Sequence, residues 1–375
     1  MTEVVADVVV IGGGLVGAAT AYELVLGGAS VVVVDAGHLG RATDAGAGIL
    51  SPETSPHPDD DWYDLAVASA AHHRSLRRRL AEEGVADTGH SDCPLMTVAV
   101  REGDDEWFEQ RYALARRRAP SVVTELDPAE AGVRFPALAP VRRALWSPAA
   151  ARVDGRRLRE VLLERAAALG ATLRAGEVHR LDGTGGRCTA VVAGGDRLGC
   201  GAVVLAGGAW SSTLAGGEAV LPVRPMKGQI LHLALPPDAR WDTGEWPIVQ
   251  PVAGFYYVPW PGGRVACGAT FESVGHDARP TAGGLGDLLR ECVAVAPGLG
   301  GATVVDVRVG LRPMSGDDRP YLGPLAGWDN VAVATGHGAD GLLLGPYSGL
   351  LVARWLLDGR LPEELAPFTP TRPAL

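Results

Sequence analysis

In the stretch "VVVIGGGLVGAATAYELVLGGASVVVVDAG", residues 8–37, three glycines and one acid have the types and spacing to hold a pyrophosphate and a sugar. Gly12 permits a tight turn, Gly14 lets backbone approach a pyrophosphate, and Gly17 lets a helix pack closely on a strand. Asp35 can accept hydrogen bonds from a ribose diol and would repel a 2′-phosphate, which favours FAD or NAD over NADP. The bland alternative is a glycine-rich turn in some other parallel sheet. A second glycine turn lies near the other end, in "TGHGADGLLLGP". Its backbone N–H groups and the helix start that follows could face the pyrimidine end of a flavin and stabilise the anion formed on reduction.

These residues need elements to position them. An apolar run enters Gly12, a helix-period stretch spans 15–26 and ends at Gly27-Gly28, and a second apolar run ends in Asp35. That is strand, turn, helix and strand, in a unit of about thirty residues. The next segment, "GRATDAGAGILSPETSPHPDDD", is rich in small residues that would let backbone approach a flat ring, with a plain surface loop as the alternative. A helix over 62–83, a strand in "CPLMTVAV", a helix-like stretch over 104–118 and a helix ending at Gly170 follow. "AVVLAGGAWSSTL" reads as a strand leading through Gly207-Gly208 into a helix capped by Ser211 or Ser212. From Pro222 the texture changes to short strands, "QILHLAL", "GFYYVPW" and "RVACGATF", the last two a hairpin across "PGG". The chain then closes with strand, glycine turn and helix.

The pattern predicts an α/β fold, α+β overall, in which a Rossmann-type FAD-binding domain carries an inserted antiparallel-sheet substrate domain. The expected discontinuous cofactor domain covers 1–90, 146–222 and 305–375, and the expected substrate domain covers 91–145 and 223–304. Because α/β pieces at start, middle and end bracket the insertion, FAD suits this frame better than NAD.

A formal charge of −10 argues against a nucleic-acid or anionic-membrane partner. The arginine runs at 74–79 and 116–118 read as solvated helix faces, and the neighbours His72 and His73 point about 100° apart on a helix, so no metal site is expected. Five cysteines without CxxC spacing imply neither a disulfide framework nor a zinc site. A reducing, cytoplasmic setting fits, no apolar stretch reaches the length of a membrane span, and the N-terminus lacks the basic start of a signal peptide. Lys227 is the only lysine among 34 basic residues. That marks its position, although a sheet or domain-contact role is the simpler reading.

The stretches "DVVVIGGGLVGAATAYEL", "AGAGILSPE", "TELDPAEA", "LAGGAWSS", "PVRPMKGQI", "FYYVPWPGGRVACGAT", "VGLRPMSGDDRPYLGP" and "TGHGADGLLLGP" together resemble the FAD-dependent amine and amino-acid oxidases, the family that includes glycine oxidase, D-amino-acid oxidase and sarcosine oxidase. The resemblance covers essentially the whole chain and leans toward the glycine oxidase branch, where "PVRPMKGQI" and "GLRP" occur together. It implies a small amine or amino acid held over the flavin, hydride transfer from the α-carbon to N5, hydrolysis of the imine, and O2 reduced to H2O2. The cofactor residues it implies are Gly12, Gly14, Gly17, Asp35, Ala47, Gly48, Ile49, Val178, Gly207, Gly336, His337, Gly338, Gly341 and Leu342. Arg312 in "GLRP" would bind a substrate carboxylate as a bidentate fork and Tyr256 would add a hydroxyl. A structural ion pair is the alternative for Arg312, and Tyr257 competes with Tyr256 because strand neighbours face opposite ways.

Two departures stand out. Glycine oxidases often carry arginine and asparagine after "GH", where this chain has Gly338, Ala339 and Asp340. The lysine that sarcosine oxidases hold near the position of Ala266 is absent, which leaves the electron acceptor open. No cysteine stands between Val309 and Met314, so noncovalent FAD is expected. The competing readings are a dehydrogenase of a D-amino acid or 2-hydroxy acid with a quinone or carrier acceptor, an aromatic monooxygenase reduced by NAD(P)H, and a non-catalytic FAD-binding protein. A homo-oligomer is compatible with all of them.

Overall fold

Valine repeats build the first sheet of the computed structural model, which describes residues 4–217, 220–251 and 254–372. Val4–Ile11 and Val31–Asp35 run parallel, Val8 opposite Val31, and Asp196–Leu205 lies parallel on the other side of the first strand. Apolar residues on both faces are what a parallel sheet covered by helices requires. The outer strands are Thr172–Ala175 at one edge and the antiparallel pair Val178–Thr184 and Arg187–Ala193 at the other, with Val331–Thr335 and Tyr321–Pro324 branching from Asp196–Leu205.

The helices Leu15–Leu26, Gly155–Ala168, Asp60–Glu82 and Gly341–Asp358 share one core with this sheet. The last of them lies almost backbone to backbone on the first, because a Cβ on Gly349 would come within 2.8 Å of the Thr20 nitrogen. The N-terminal and C-terminal glycine turns are thereby fixed side by side. Ser211 and Ser212 do not cap their helix: Ser211 bonds to Thr335 Oγ1 and Ser212 to the carbonyls of Leu221 and Val223, so both tie the segment inward.

The second sheet is mostly antiparallel, in the order Thr303–Met314, Arg224–Ala234, Arg264–Gly268, Tyr256–Trp260, Ile248–Pro251, Leu95–Ala99, Arg143–Ser147 and Thr124–Leu126. The hairpin expected across "PGG" is present, with Trp260 opposite Arg264. The expected boundaries at 146 and 305 fall inside strands of this sheet. The reason is continuous pairing: Thr303–Met314 stays on Arg224–Ala234 from end to end, and Arg143–Ser147 stays on Leu95–Ala99. The strand carrying Arg312 thus belongs to the antiparallel sheet, while its end is pinned to the cofactor frame. The Leu311 N–H donates to the Gly40 carbonyl at 2.8 Å and the Gly338 N–H to the Pro313 carbonyl at 2.9 Å.

Candidate active site

A cavity of about 660 Å³ runs between the two sheets. One end begins at the turn after the first strand. Gly12 has φ +105°, and a Cβ there would run into the Ala206 carbonyl; on Gly17 it would run into the Gly12 carbonyl. These two glycines are demanded by the protein's own packing. Gly14 differs, since the nearest atom to a Cβ would be Thr43 Oγ1 at 3.5 Å. Gly12 and Gly14 line the cavity, whereas Gly17 lies behind the turn and does not. The space kept open before Gly14, at the start of the helix Leu15–Leu26, fits a pyrophosphate.

Asp35 lines the same end. Its carboxylate accepts from the N–H groups of Gly13 (2.7 Å) and Gly37 (2.6 Å) and from Arg41 at 2.9 and 3.1 Å. Burial would raise its pKa, but the Gly37 amide, Arg41 and the Gly13 amide together hold it below the ordinary carboxylate range. An ionised acid in this position suits a ribose diol. Arg159 braces the turn from outside by donating to the Gly13 carbonyl.

Ala47, Gly48, Ile49, Val178 and Gly207 all line the cavity, and Gly48, at φ +76°, leaves no room for a side chain against the Val153 carbonyl. His337, Gly338, Gly341 and Leu342 line it from the C-terminal turn. Gly336 does not: it is turned onto Tyr321 and Ser315 in the packing behind the turn. The His337 ring is engaged within the protein, its Nε2 lying 3.0 Å from Ser348 Oγ, and burial lowers its pKa to about 4. It is neutral at pH 7. None of the five cysteines lines the cavity.

The other end holds Arg312 and Tyr256. Arg312 Nη1 donates to the Thr270 carbonyl at 3.0 Å and to the Lys227 carbonyl at 3.4 Å, and the guanidinium lies 4.2 Å from the Phe271 ring centre. No carboxylate among the described residues pairs with it, so the ion-pair alternative for Arg312 is not what the structure shows. Strand alternation separates the two tyrosines. Tyr257 is buried in the core and donates to the Cys292 carbonyl at 2.9 Å, while Tyr256 faces the cavity, where burial pushes its pKa up to about 12. Its hydroxyl is therefore a neutral donor. Lys227 is a sheet residue. It is 1 % exposed and pairs with Glu272 at 3.2 Å, and the segment this clamp holds carries Thr270 and Phe271 against Arg312.

Sequence reasoning missed several contributors. Gly228 is one, because a Cβ there would occupy the place of the Arg312 guanidinium. Its position in "MKGQ" opposite Gly310 is a matter of sheet register that no local signal reveals. Arg111 is another: lying in the helix-like stretch over 104–118, it reaches the cavity wall with its Nε buried and without a hydrogen-bond partner. Gly13, Arg41 and Phe271 also line the cavity. Among the described residues no His, Cys, Asp and Glu cluster could hold a metal ion, and no helix is long and apolar enough to cross a membrane.

This geometry matches known proteins along its whole length. The family model for FAD-dependent oxidoreductases matches residues 7–355. The chain is 34 % identical to a glycine oxidase of Pseudomonas putida, over 97 % of this chain and 98 % of that protein. It is 35 % identical to an uncharacterized oxidoreductase of Bacillus subtilis, over 96 % and 98 % of the two chains. The crystal structure of an iminodiacetate oxidase from a Chelativorans species superimposes with a TM-score of 0.90 at 34 % identity, covering 98 % of this chain and all of the other. A tight glycine turn with an ionised acid, a second glycine turn beside it and an arginine without a counter-ion are thus found in a chain that belongs to the family of FAD-dependent oxidoreductases.

Proposed function

We propose that this protein is an oxidase of a small amino acid or secondary amine bearing a carboxylate, and that it holds FAD noncovalently. The observation that carries the reading is one continuous cavity with the dinucleotide turn at one end and the unpaired Arg312 beside Tyr256 at the other. When bound, FAD supplies the hydride acceptor for the substrate α-carbon and passes the electrons to O2, giving H2O2 and an imine that water hydrolyses.

The chain's own residues supply binding and orientation. Arg312 receives the carboxylate: with Nη1 already bonded to main-chain carbonyls, the rest of its fork is left for the substrate. The guanidinium cannot swing away, being held between Phe271 and the glycine at 228. Tyr256 donates its hydroxyl to the same anion. Gly12 and Gly14 cradle the pyrophosphate, Asp35 holds the ribose, and the first turn of Gly341–Asp358 offers amides to the developing negative charge of the cofactor. The absence of cysteine from the cavity wall supports noncovalent attachment.

The test is anaerobic mixing of the yellow protein with glycine, sarcosine, D-alanine, D-proline, larger N-alkyl amino acids and 2-hydroxy acids. Bleaching by an amine substrate, followed by rapid recolouring and one peroxide per turnover in air, is the expected result. Recolouring only with a quinone would make the protein a dehydrogenase.

A further inference from the structure

One carboxylate in the cavity has no part in the reactions described so far. Asp340 immediately precedes the helix Gly341–Asp358, yet its side chain does not cap that helix. Among the described residues its carboxylate accepts no hydrogen bond and forms no ion pair, and the partly buried residue lines the cavity. Arg312 is its opposite in the same wall, also without a counter-ion. Each charge bears on the other's pKa, and the two do not close into an ion pair. Holding an unpaired cation and an unpaired anion apart in a partly buried wall is costly. The ligand that relieves both at once is one carrying both charges.

Resting on the oxidase reading, we propose that Asp340 is the second pole of the substrate site: Arg312 takes the carboxylate of an amino acid bound as its zwitterion, and Asp340 takes the ammonium group and then one proton from it. In that step an N–H bond breaks, its electron pair stays on nitrogen as a lone pair, and an O–H bond forms on the Asp340 carboxylate; no electron is transferred. The free amine that remains has the lone pair needed to expel the α-hydrogen as hydride. A 2-hydroxy acid has no ammonium group to offer, so the site selects amino acids over hydroxy acids.

The surroundings suit a proton acceptor. Burial raises the Asp340 pKa to about 6, Asp318 acts in the same direction, and Arg312 opposes them. The other titratable or charged groups in the wall are His337, neutral at pH 7, Tyr256, a neutral phenol, His57 and Arg111, with Asp35, His38, Arg41 and Glu177 lining the rest of the cavity. A base poised near neutrality is ionised when substrate arrives and can still take a proton. The sign follows directly: above about pH 6 the carboxylate is charged and binds a cation, and below it that attraction is lost.

Binding of trimethylglycine, a fixed cation with a carboxylate, is compared with binding of acetate to the holoenzyme by flavin absorbance between pH 5 and 8. In the wild-type protein the trimethylglycine affinity should fall about tenfold per unit below pH 6 while the acetate affinity does not fall with it. Asp340→Asn should weaken trimethylglycine roughly tenfold at pH 8, abolish its pH dependence and leave acetate bound as well or better. The same variant should move the acidic limb of kcat/KM up to the substrate ammonium's own pKa. A wild-type trimethylglycine affinity that is flat with pH, that parallels acetate, or that is undetectable while acetate binds overturns the proposal whether or not the variant folds. If the pH-dependent cation site is found but no amine bleaches the flavin, the oxidase reading falls and the two-pole site stands; if amines bleach it and the site is absent, the reverse holds.

Discussion

The two ends of the cavity are built on opposite terms. At the dinucleotide end the charged groups are already satisfied by the protein: Asp35 accepts from two amides and Arg41, and Arg41 is matched again by Asp44. At the substrate end Arg312, Asp340 and Arg111 face the cavity without counter-ions among the described residues. A ligand at the first end is received mainly by shape and backbone; at the second it completes the electrostatics. Changes at the first should therefore be felt by the fold or by cofactor retention, and changes at the second by the substrate alone.

The sharpest way to break this contrast is to place the same methyl group on neighbouring glycines. Gly12→Ala forces a side chain into φ +105° and into the Ala206 carbonyl, and should cost about 3 kcal/mol or more of stability together with FAD binding. Gly14→Ala meets no protein atom nearer than 3.5 Å, so the apoprotein should melt where the wild type does while FAD binds about tenfold more weakly. Equal losses of melting temperature in the two apoproteins would remove the distinction.

Next in size is Arg312→Ala. Loss of a charge-assisted fork should lower kcat/KM for a carboxylate substrate roughly tenfold to a hundredfold. Calorimetry should show a change within about 1 kcal/mol, since the bonds to the Thr270 and Lys227 carbonyls are lost together with a cation that has no carboxylate partner. Unchanged turnover would mean that the carboxylate is held elsewhere. The smallest effects come from the adjacent tyrosines. Tyr256→Phe should weaken substrate about three- to tenfold with stability unchanged, and Tyr257→Phe should cost about 1 kcal/mol of stability, through its bond to the Cys292 carbonyl, with KM unchanged. Interchanged results would reverse the assignment of the two strand faces.

What the sequence revealed divides along the same line. Gly12, Gly14 and Asp35 act within one βαβ unit, so spacing alone exposes them, and Gly48 follows from its small-residue setting. Gly17 makes the close helix–strand contact that its spacing implies, and Gly336, named with the cofactor residues by resemblance, makes its tight contacts with the protein itself. Arg312 and Tyr256 were reached only through family resemblance, since what brings them together is pairing between strands far apart in the chain. Gly228, Phe271 and Arg111 escaped both routes. Each matters because of what the tertiary fold places opposite it, and none has a local pattern to announce that. The strand that runs across the expected boundary at 305 has the same origin, since its partner lies about eighty residues earlier.

That strand, Thr303–Met314, has a consequence for how such a site can change over time. Its ladder with Arg224–Ala234 carries one irregularity, between His232 and Leu233, far from Arg312, so slack in the register is absorbed at the distant end. A slip of one residue near the cavity would carry the arginine to the opposite face, which makes its position all-or-none. The side chains at 339 and 340, just beyond the point where Gly338 is tied to Pro313, are under no such constraint of register. Substitutions at 339 and 340 can therefore change what faces the cavity without disturbing the register that fixes the place of Arg312.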